Sequence, residues 1–333
     1  MRPFFVTGAT GFLGGRLVEI LLEQGHSVVA VGRNKKALEN LKVLGAETHA
    51  CDLATELELL KEIIPHGSIV VHCAALSSAW GKESDFYEAN VTSTENVAEA
   101  ALHRGVSRFV HISTPSVYVT THDQHNISET DPLDHAMINT YAKTKLLAEK
   151  KLLVQVYKNQ LPVIILRPQG IIGPKDPSIL PRIIRVARKG KLPVFGNGKN
   201  KIDLTYVDNV VEAILCAARA LTEHHGKIYN ITNGEPVENY TILRSVLGSL
   251  GIPVQEKRIP IGIAIRMGSM LETIYRMLSL KGEPILTRYS VCALGLTRTL
   301  DITNAKRDLN YSPKISLQEG IQRYIQWYQT SES

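Results

Sequence analysis

The chain has 333 residues, of which 44% are apolar, so it is long enough to bury a sizeable core in one large α/β unit or in two packed lobes. Its 38 Lys and Arg against 32 Asp and Glu leave a net charge of +6. This mild excess is spread along the chain without long runs of like charge, so a nucleic-acid-binding protein is not indicated.

The four cysteines lie far apart in mostly apolar surroundings, without the paired spacing of a zinc site or a redox pair. Free thiols of this kind are typical of a reducing compartment. No signal-peptide pattern follows Met1, and no apolar stretch reaches the ~18 residues that span a bilayer. We therefore expect a cytoplasmic protein without a transmembrane segment and without a bound metal.

Short β-branched runs alternate with helical patterns through the first half of the chain. This alternation predicts a doubly wound α/β (Rossmann) fold, in which a parallel sheet is buried on both faces and binds ligands at the carboxyl ends of its strands. The predicted strands span residues 4–7, 27–31, 48–51, 69–73, 108–113 and 163–167, and the clearest helices span 12–24, 35–44, 87–103 and 140–157.

Beyond residue 168 the pattern becomes irregular, with more glycine and proline and shorter elements. We expect residues 1–168 to form the Rossmann domain, with 204–232 returning to it. A smaller C-terminal substrate lobe is then expected from residues 169–203 and 233–333. The predicted strands here are 192–195 and 227–231, and the predicted helices are 179–188, 209–221, 240–250 and 317–328.

A glycine pattern, TGATGFLG, occupies the turn between the first strand and the first helix. Gly8 allows a tight turn, Gly11 lets backbone N–H groups approach a pyrophosphate, and Gly14 lets the helix pack closely on the strand. The pattern is informative because it follows an apolar strand and opens an amphipathic helix. It predicts a binding site for a nicotinamide dinucleotide.

The residues at the end of the second strand indicate whether NAD or NADP binds. A carboxylate there would bond the ribose 2′-hydroxyl of NAD and repel the 2′-phosphate of NADP, but the sequence has Gly32-Arg33. Gly32 leaves room, and the Arg33 guanidinium suits a phosphate. An exposed arginine at a helix start is the alternative interpretation. The sequence therefore favours NADP, and NAD stays open.

A candidate catalytic set follows the fifth strand. Tyr141 and Lys145 lie one turn apart on a predicted helix, so they share a face. A neighbouring ammonium lowers the pKa of a phenol, which can then exchange a proton with a substrate oxygen. Thr114 stands where the fifth strand ends, at the edge where the dinucleotide is expected.

The chain resembles the extended short-chain dehydrogenase/reductase family in three strings taken together: TGATGFLG, STPSVY over residues 113–118 and YAKTK over residues 141–145. The resemblance implies that Tyr141 is the general acid/base and that Lys145 holds the nicotinamide ribose and lowers the Tyr141 pKa. Thr114 would bond the reacting oxygen during hydride transfer, with Ser113 and Ser116 as alternatives. The family also implies a homodimer through helices 87–103 and 140–157.

The cofactor-contacting residues expected on these grounds are Gly8, Thr10, Gly11, Phe12, Leu13, Gly14, Arg33, Asp52, Leu53, Ala74, Ala75, Ser113, Tyr141, Lys145 and Pro168. The expected substrate residues are Trp80, Thr114, Ser116 and Ile202.

The expected substrate is a lipophilic molecule. Ile202 occupies the position where family members acting on nucleotide sugars usually carry an arginine that clamps the diphosphate. Residues 78–81 and 283–289 are similar to the 3β-hydroxysteroid dehydrogenase group, which includes bacterial reductases of long-chain 2-alkyl-3-keto acids. Trp80 either lines an apolar substrate channel or packs against other side chains without a role in substrate binding. A nucleotide-sugar epimerase, reductase or dehydratase is the runner-up, and a non-catalytic dinucleotide-binding protein is a third alternative.

Residues 261–280 carry apolar side chains, several of them Met, at helical spacing. Three interpretations stay open for this helix. It packs against the core, it covers a lipophilic substrate as a lid, or it lies on a membrane surface.

Overall fold

The computed structural model describes residues 2–133, 139–280 and 282–332. The strands are β1 (Phe4–Thr7), β2 (Val28–Gly32), β3 (Glu47–Ala50), β4 (Ile69–His72), β5 (Arg108–Ile112), β6 (Gln124–Ile127), β7 (Val163–Pro168), β8 (Ile171–Ile172), β9 (Lys191–Phe195), β10 (Lys201–Ile202), β11 (Thr205–Tyr206), β12 (Ile228–Ile231), β13 (Val237–Glu238), β14 (Gln255–Ile259) and β15 (Arg298–Leu300). The helices are α1 (Phe12–Glu23), α2 (Lys35–Val43), α3 (Leu57–Ile63), α4 (Glu83–Tyr87), α5 (Ser93–His103), α6 (Thr140–Asn159), α7 (Ile179–Ala187), α8 (Val207–Arg219), α9 (Asn239–Ser249), α10 (Ile261–Met277), α11 (Arg288–Gly295), α12 (Thr303–Leu309) and α13 (Leu317–Glu332).

A seven-stranded parallel sheet forms the centre of the fold, in the order β3-β2-β1-β4-β5-β7-β12. The chain builds one half outward from β1 and the other half outward from β4, so the strand order reverses between these two strands. This confirms the predicted doubly wound fold. Such a reversal opens a crevice at the carboxyl ends of the strands, which is where ligands bind in sheets of this kind.

Both faces of the sheet are covered by helices, as the continuous apolar strands require. Successive side chains of a strand point to opposite faces. Accordingly Phe4 and Val6 of β1 join the core cluster formed with α1 and α8, whereas Phe5 joins the cluster formed with α5 and α6. The sheet therefore holds the ends of β1, β4 and β5 rigidly at one edge.

The second half of the chain contributes both to the central sheet and to smaller sheets. β12 pairs in parallel with β7, at the sheet edge. One small sheet has the order β13-β10-β15-β6 and so joins segments far apart in sequence. A separate core cluster lies among α7, α9 and α13. The division of the chain into two domains stays a prediction.

The helix predicted over residues 87–103 is not regular. A π-helical turn, Glu88–Thr92, separates α4 from α5. Within it the buried Asn90 side chain accepts a hydrogen bond from Leu76 N at 2.7 Å and donates one to Thr144 Oγ1 at 3.1 Å. The wider turn thus ties the loop after β4 to α6, and such turns are frequent at functional sites.

The apolar stripe of α10 faces solvent. Met267, Met270 and Met277 are 47%, 66% and 79% exposed. The exposed methionines do not pack against the core, whereas Ile261 and Ile265 of the same helix do, and Leu271 and Ile274 are partly buried. The packing, lid and membrane-surface interpretations all stay predictions. None of the described helices is long and apolar enough to cross a bilayer. The side chains of α10 that are buried are small or polar: Ala264, Gly268 and Glu272.

Candidate active site

The turn between β1 and α1 is built around glycine. Gly8 has a φ of 66°, and a Cβ there would lie 2.6 Å from Ala74 N, while a Cβ on Gly14 would lie 2.3 Å from Gly8 O. No larger residue fits either position. Gly11 caps α1 without a side-chain bond, and the first turn carries no acidic residue. The N–H groups there suit a pyrophosphate, so these residues fit a bound dinucleotide. Thr10, Phe12 and Leu13 complete the turn and the start of α1.

The end of β2 places Arg33 at the surface. A Cβ on the neighbouring Gly32 would lie 2.7 Å from Thr10 Oγ1, so a larger residue there would displace the Thr10 side chain of the glycine turn. Asn34 caps α2 by accepting a hydrogen bond from Ala37 N at 3.1 Å. Arg33 itself is exposed and has no hydrogen-bond or ion-pair partner among the described residues. Its guanidinium is therefore free to meet an anion beside the start of α2.

The remaining expected cofactor contacts follow other strands of the central sheet. Asp52 follows β3 and is partly buried. The next residue, Leu53, is buried in the core cluster that includes residues of α5. Ala74 and Ala75 follow β4, with Ala74 against the glycine turn. Pro168 ends β7 and is buried. Because these strands are parallel, all five residues lie at the same edge of the sheet.

Lys145 is buried within α6, beneath the end of β5. Its Nζ donates to Ile112 O at 2.7 Å and bonds His111 Nε2 at 3.1 Å. Burial lowers the pKa of Lys145 to about 8, although the negative charge of Glu149 opposes this shift. Among the described residues the ammonium is thus held by β5, and no bond joins it to Tyr141.

His111 belongs to a stacked pair of buried imidazoles. The ring centroids of His72 and His111 are 5.3 Å apart, with 25° between the planes. His72 Nδ1 lies 2.7 Å from Thr7 Oγ1, and its Nε2 lies 3.0 Å from Thr94 Oγ1. Burial, and then the charge of Lys145, lower the pKa of His72 to about 3 and hold the pKa of His111 well below its usual value. Both rings are therefore neutral at physiological pH, and His111 accepts a hydrogen bond from Lys145.

Replacing His111 with Leu removes one of the two acceptors of the Lys145 ammonium. A hydrogen bond to a charged group contributes about 1.5–3 kcal/mol, which corresponds to roughly one to two pKa units. We expect the pKa of Lys145 to fall, so the basic limb of the pH profile of kcat/KM moves to lower pH by about one unit. His111→Gln retains an acceptor and should restore most of the profile. An unshifted profile in the Leu variant would show that His111 does not hold the ammonium.

A chain of hydroxyl groups, formed by Thr114, Ser116 and Tyr289, lies beside Tyr141 near the start of α6. Burial raises the pKa of Tyr141, and the nearby hydroxyls of Ser77 and Thr114 oppose this rise, so the lowering expected from Lys145 is not found. Thr114 Oγ1 donates to Ser116 Oγ at 3.0 Å, and Ser116 Oγ lies 2.8 Å from Tyr289 OH of α11. Thr114 and Ser116 are thus brought together with Tyr141, and α11 adds a residue that the sequence did not indicate.

A buried polar network lies behind this chain. Ser113 Oγ donates to the Glu149 carboxylate, which also accepts from Arg167 Nε at 2.9 Å. Arg167 Nη1 donates to Tyr118 OH at 2.5 Å, and Tyr118 OH donates to Asn230 Oδ1 at 3.0 Å. The side chains of Glu149 and Arg167 are 1% and 2% exposed. The network connects the end of β5 to α6, β7 and β12.

Trp80 and Ile202, the outlying substrate candidates, have different surroundings. The Trp80 ring meets Tyr275 of α10 edge-on, with centroids 6.3 Å apart, and the Arg276 guanidinium carbon lies 5.3 Å from the Trp80 centroid. Ile202 of β10 is 8% exposed and packs in the core cluster that includes Leu204. Trp80 thus connects the loop after β4 to α10, whereas position 202 presents an apolar side chain to a core.

Residues 4–232 match the model of the NAD dependent epimerase/dehydratase family. The chain belongs to this family. It is 36% identical over 323 residues to the 2-alkyl-3-oxoalkanoate reductase of Stenotrophomonas maltophilia (strain K279a), covering 96% of this chain and 97% of the relative. It is 31% identical over 328 residues to the decarboxylating sterol-4-alpha-carboxylate 3-dehydrogenase of Mus musculus, covering 96% and 89%.

Among solved structures, MoeE5 in complex with UDP-glucose and NAD superposes with a TM-score of 0.76 at 27% identity, covering 99% of this chain and 100% of that one. Together these likenesses confirm the resemblance to extended short-chain dehydrogenases/reductases. The protein is an NAD(P)-dependent oxidoreductase that acts on CH–OH groups.

Sequence reasoning missed several polar residues of this region, of which His72, His111 and Tyr289 are examples. The histidines carried a weak signal, because each is a polar residue near the end of a mostly apolar strand. The structure pairs the two in register across β4 and β5. Tyr289 ends the segment 283–289 that the resemblance singled out, but its contact with Ser116 joins parts far apart in the chain, so its place in the site was not predicted.

Proposed function

We propose that this protein interconverts a ketone and a secondary alcohol on a lipophilic substrate, with NADP(H) as its cofactor. The observation that carries the proposal is the placement of Tyr141 beside the hydrogen-bonded hydroxyls of Thr114 and Ser116, with the buried Lys145 one helical turn away at the carboxyl edge of the sheet. Its relatives include a reductase of 2-alkyl-3-oxoalkanoates and a sterol dehydrogenase, which supports a lipophilic substrate. The apolar Ile202 supports it as well.

The cofactor would be held by the glycine turn at its pyrophosphate, by Arg33 at the 2′-phosphate and by Lys145 at the nicotinamide ribose. When bound, its nicotinamide ring supplies or accepts the hydride. The raised pKa of Tyr141 keeps its phenol protonated at neutral pH, which is the form that donates a proton to a ketone oxygen. Thr114 holds the same oxygen through a second hydrogen bond.

A substrate panel tests this function. Purified protein and NADPH are incubated with a long-chain 2-alkyl-3-keto acid, a 3-ketosteroid or a UDP-sugar, and the loss of NADPH absorbance is followed. We expect turnover of at least one of the two lipophilic ketones. Because MoeE5 was solved with UDP-glucose, a nucleotide-sugar reaction is the competing function. Thermal stabilisation by the UDP-sugar alone, without turnover of either ketone, would replace our proposal with that one.

Replacing Arg33 with Ala tests the choice of cofactor. A charge-assisted hydrogen bond contributes about 1.5–3 kcal/mol, so we expect NADPH to bind roughly tenfold to a hundredfold more weakly. NADH binding should not change, because NADH lacks the 2′-phosphate. The measurement is the Kd of each coenzyme by fluorescence titration, with Arg266→Ala on the exposed side of α10 as the control. Equal weakening of both coenzymes, or of neither, would contradict the NADP assignment.

We propose a homodimer that forms through α5 and α6. The outer surface of α6 exposes apolar side chains, since Val154 and Tyr157 are 45% and 91% exposed. Exposed apolar side chains of this size on one helix suit a protein–protein contact. Light scattering during size-exclusion chromatography tests it, and a monomeric mass at all concentrations would overturn it.

A further inference from the structure

Arg298, in β15, is a buried cation without a protein partner. It is 6% exposed, and its side chain has no hydrogen-bond or ion-pair partner among the described residues. Arg167, by contrast, is paired with the Glu149 carboxylate, and Arg108 donates from one nitrogen to Ala220 O, although its Nε and Nη1 have no partner. Burying a charge without a partner is costly, so a guanidinium in this state calls for a ligand.

The direction of the Arg298 side chain follows from strand geometry. Residues two apart in a strand lie on the same face, so Arg298 shares a face with Leu300. Leu300 packs with residues of the 3-10 turn Pro115–Tyr118, and Leu146 of α6 packs against the same cluster. This face of β15 therefore looks toward α6 and the turn that follows the end of β5, which are the elements that carry the catalytic candidates.

Electrostatics agree with this placement. Burial lowers the pKa of Arg298, and the groups that oppose the shift are Tyr289 and Cys292 of α11, not a carboxylate. Tyr289 OH lies 2.8 Å from Ser116 Oγ, in the hydroxyl chain beside Tyr141. The Arg298 guanidinium therefore lies on the side of the site where that chain ends at Tyr289.

The neighbouring strand adds a further observation. Arg298 is paired in register with Ile202 across β15 and β10. Of these two paired residues only Arg298 is charged. Its planar guanidinium can make two parallel hydrogen bonds to a carboxylate.

We propose that Arg298 binds the carboxylate of the substrate, so that the enzyme acts on a lipophilic keto or hydroxy acid and not on a neutral ketone such as a 3-ketosteroid. The inference rests on the proposed function and names its substrate class. The apolar remainder of the molecule would extend away from Arg298, and the anionic group would fix which carbon lies beside Tyr141.

Calorimetry on the intact protein with NADP⁺ present tests the assignment without requiring turnover. The probes are decanoate, decanol and UDP, and the variants are Arg298→Met, Arg298→Lys and the surface control Arg266→Met. We expect the wild type to bind decanoate at least about tenfold more tightly than decanol. Arg298→Met should abolish this preference, Arg298→Lys should keep part of it, and Arg266→Met should keep all of it.

Stability provides a second measurement, because Met removes an unpaired buried charge. The thermal midpoint of ligand-free Arg298→Met should rise, whereas a residue with a merely structural role would lower it on replacement. Unchanged decanoate binding in Arg298→Met would overturn the proposal, and so would binding of UDP alone through Arg298. If decanoate binds through Arg298 while no keto acid is reduced, the anion site stands and the proposed function fails.

Discussion

The Tyr141→Phe variant is expected to lose about 10²- to 10⁴-fold in kcat, the range that a positioned proton donor contributes. The phenol of Tyr141 lies near the hydroxyls of Ser77 and Thr114, and burial raises its pKa, so it is protonated when a ketone arrives. Phenylalanine keeps the ring and its packing but supplies no proton. Steady-state rates with NADPH and the best substrate of the panel measure the loss.

The binding of NADPH should survive this substitution, because the glycine turn and Arg33 lie on other elements. Tyr328→Phe, which removes a hydroxyl from a partly exposed tyrosine of α13, a helix without candidate site residues, is the matched control and should leave kcat unchanged. A Tyr141→Phe enzyme that keeps more than about a tenth of the wild-type kcat would show that another group moves the proton, since the effect would fall below the usual range.

Local sequence patterns were sufficient for the parts of the fold that depend on short-range geometry. The first predicted strand, residues 4–7, coincides with β1, and the helix predicted from residue 12 begins there as α1. Glycine spacing identified the turn between them because backbone contacts as short as 2.3 Å permit no side chain at Gly14. The spacing of Tyr141 and Lys145 likewise placed both on α6.

The parts that could not be predicted depend on long-range pairing. The position of β15 in the fold is set by its pairing with β6 and β10. The hydrophobic pattern of residues 298–300 does not predict this pairing. Arg298 and Tyr289 therefore could not be assigned to the site in advance. Periodicity also showed that α10 has one apolar face, but the period of a helix does not determine what covers that face. The π-helical turn Glu88–Thr92 was missed because it breaks the 3.6-residue period.

The buried pair of Glu149 and Arg167 is the feature on which the geometry of the site depends most. Glu149 lies on α6, one helical turn beyond Lys145, and it orients Ser113, the residue that precedes Thr114. Arg167, at the end of β7, completes the pair. Any shift of this carboxylate moves the catalytic helix relative to the end of β5, so stability and catalysis are coupled here.

Replacing Glu149 with Leu should lower the free energy of unfolding by about 3–5 kcal/mol, because it leaves the Arg167 charge buried without a counter-ion. The double variant Glu149→Leu/Arg167→Met should lose less, since both charges leave together and Met fills part of the arginine volume. Its remaining cost, about 1–3 kcal/mol, comes from Ser113 and Tyr118, each of which loses a hydrogen-bond partner. Urea unfolding at neutral pH measures all three proteins.

The order of the three stabilities shows whether charge or packing volume determines the contribution of the Glu149–Arg167 pair. If Glu149 and Arg167 act as a buried ion pair, the double variant is more stable than Glu149→Leu. If the two substitutions cost stability independently, their losses add and the double variant is the less stable of the two. A double variant that is less stable than Glu149→Leu would mean that packing volume, not charge, holds these elements together. In the expected case the double variant regains stability but not full activity, because Ser113 no longer has the carboxylate that fixes the strand end beside Thr114.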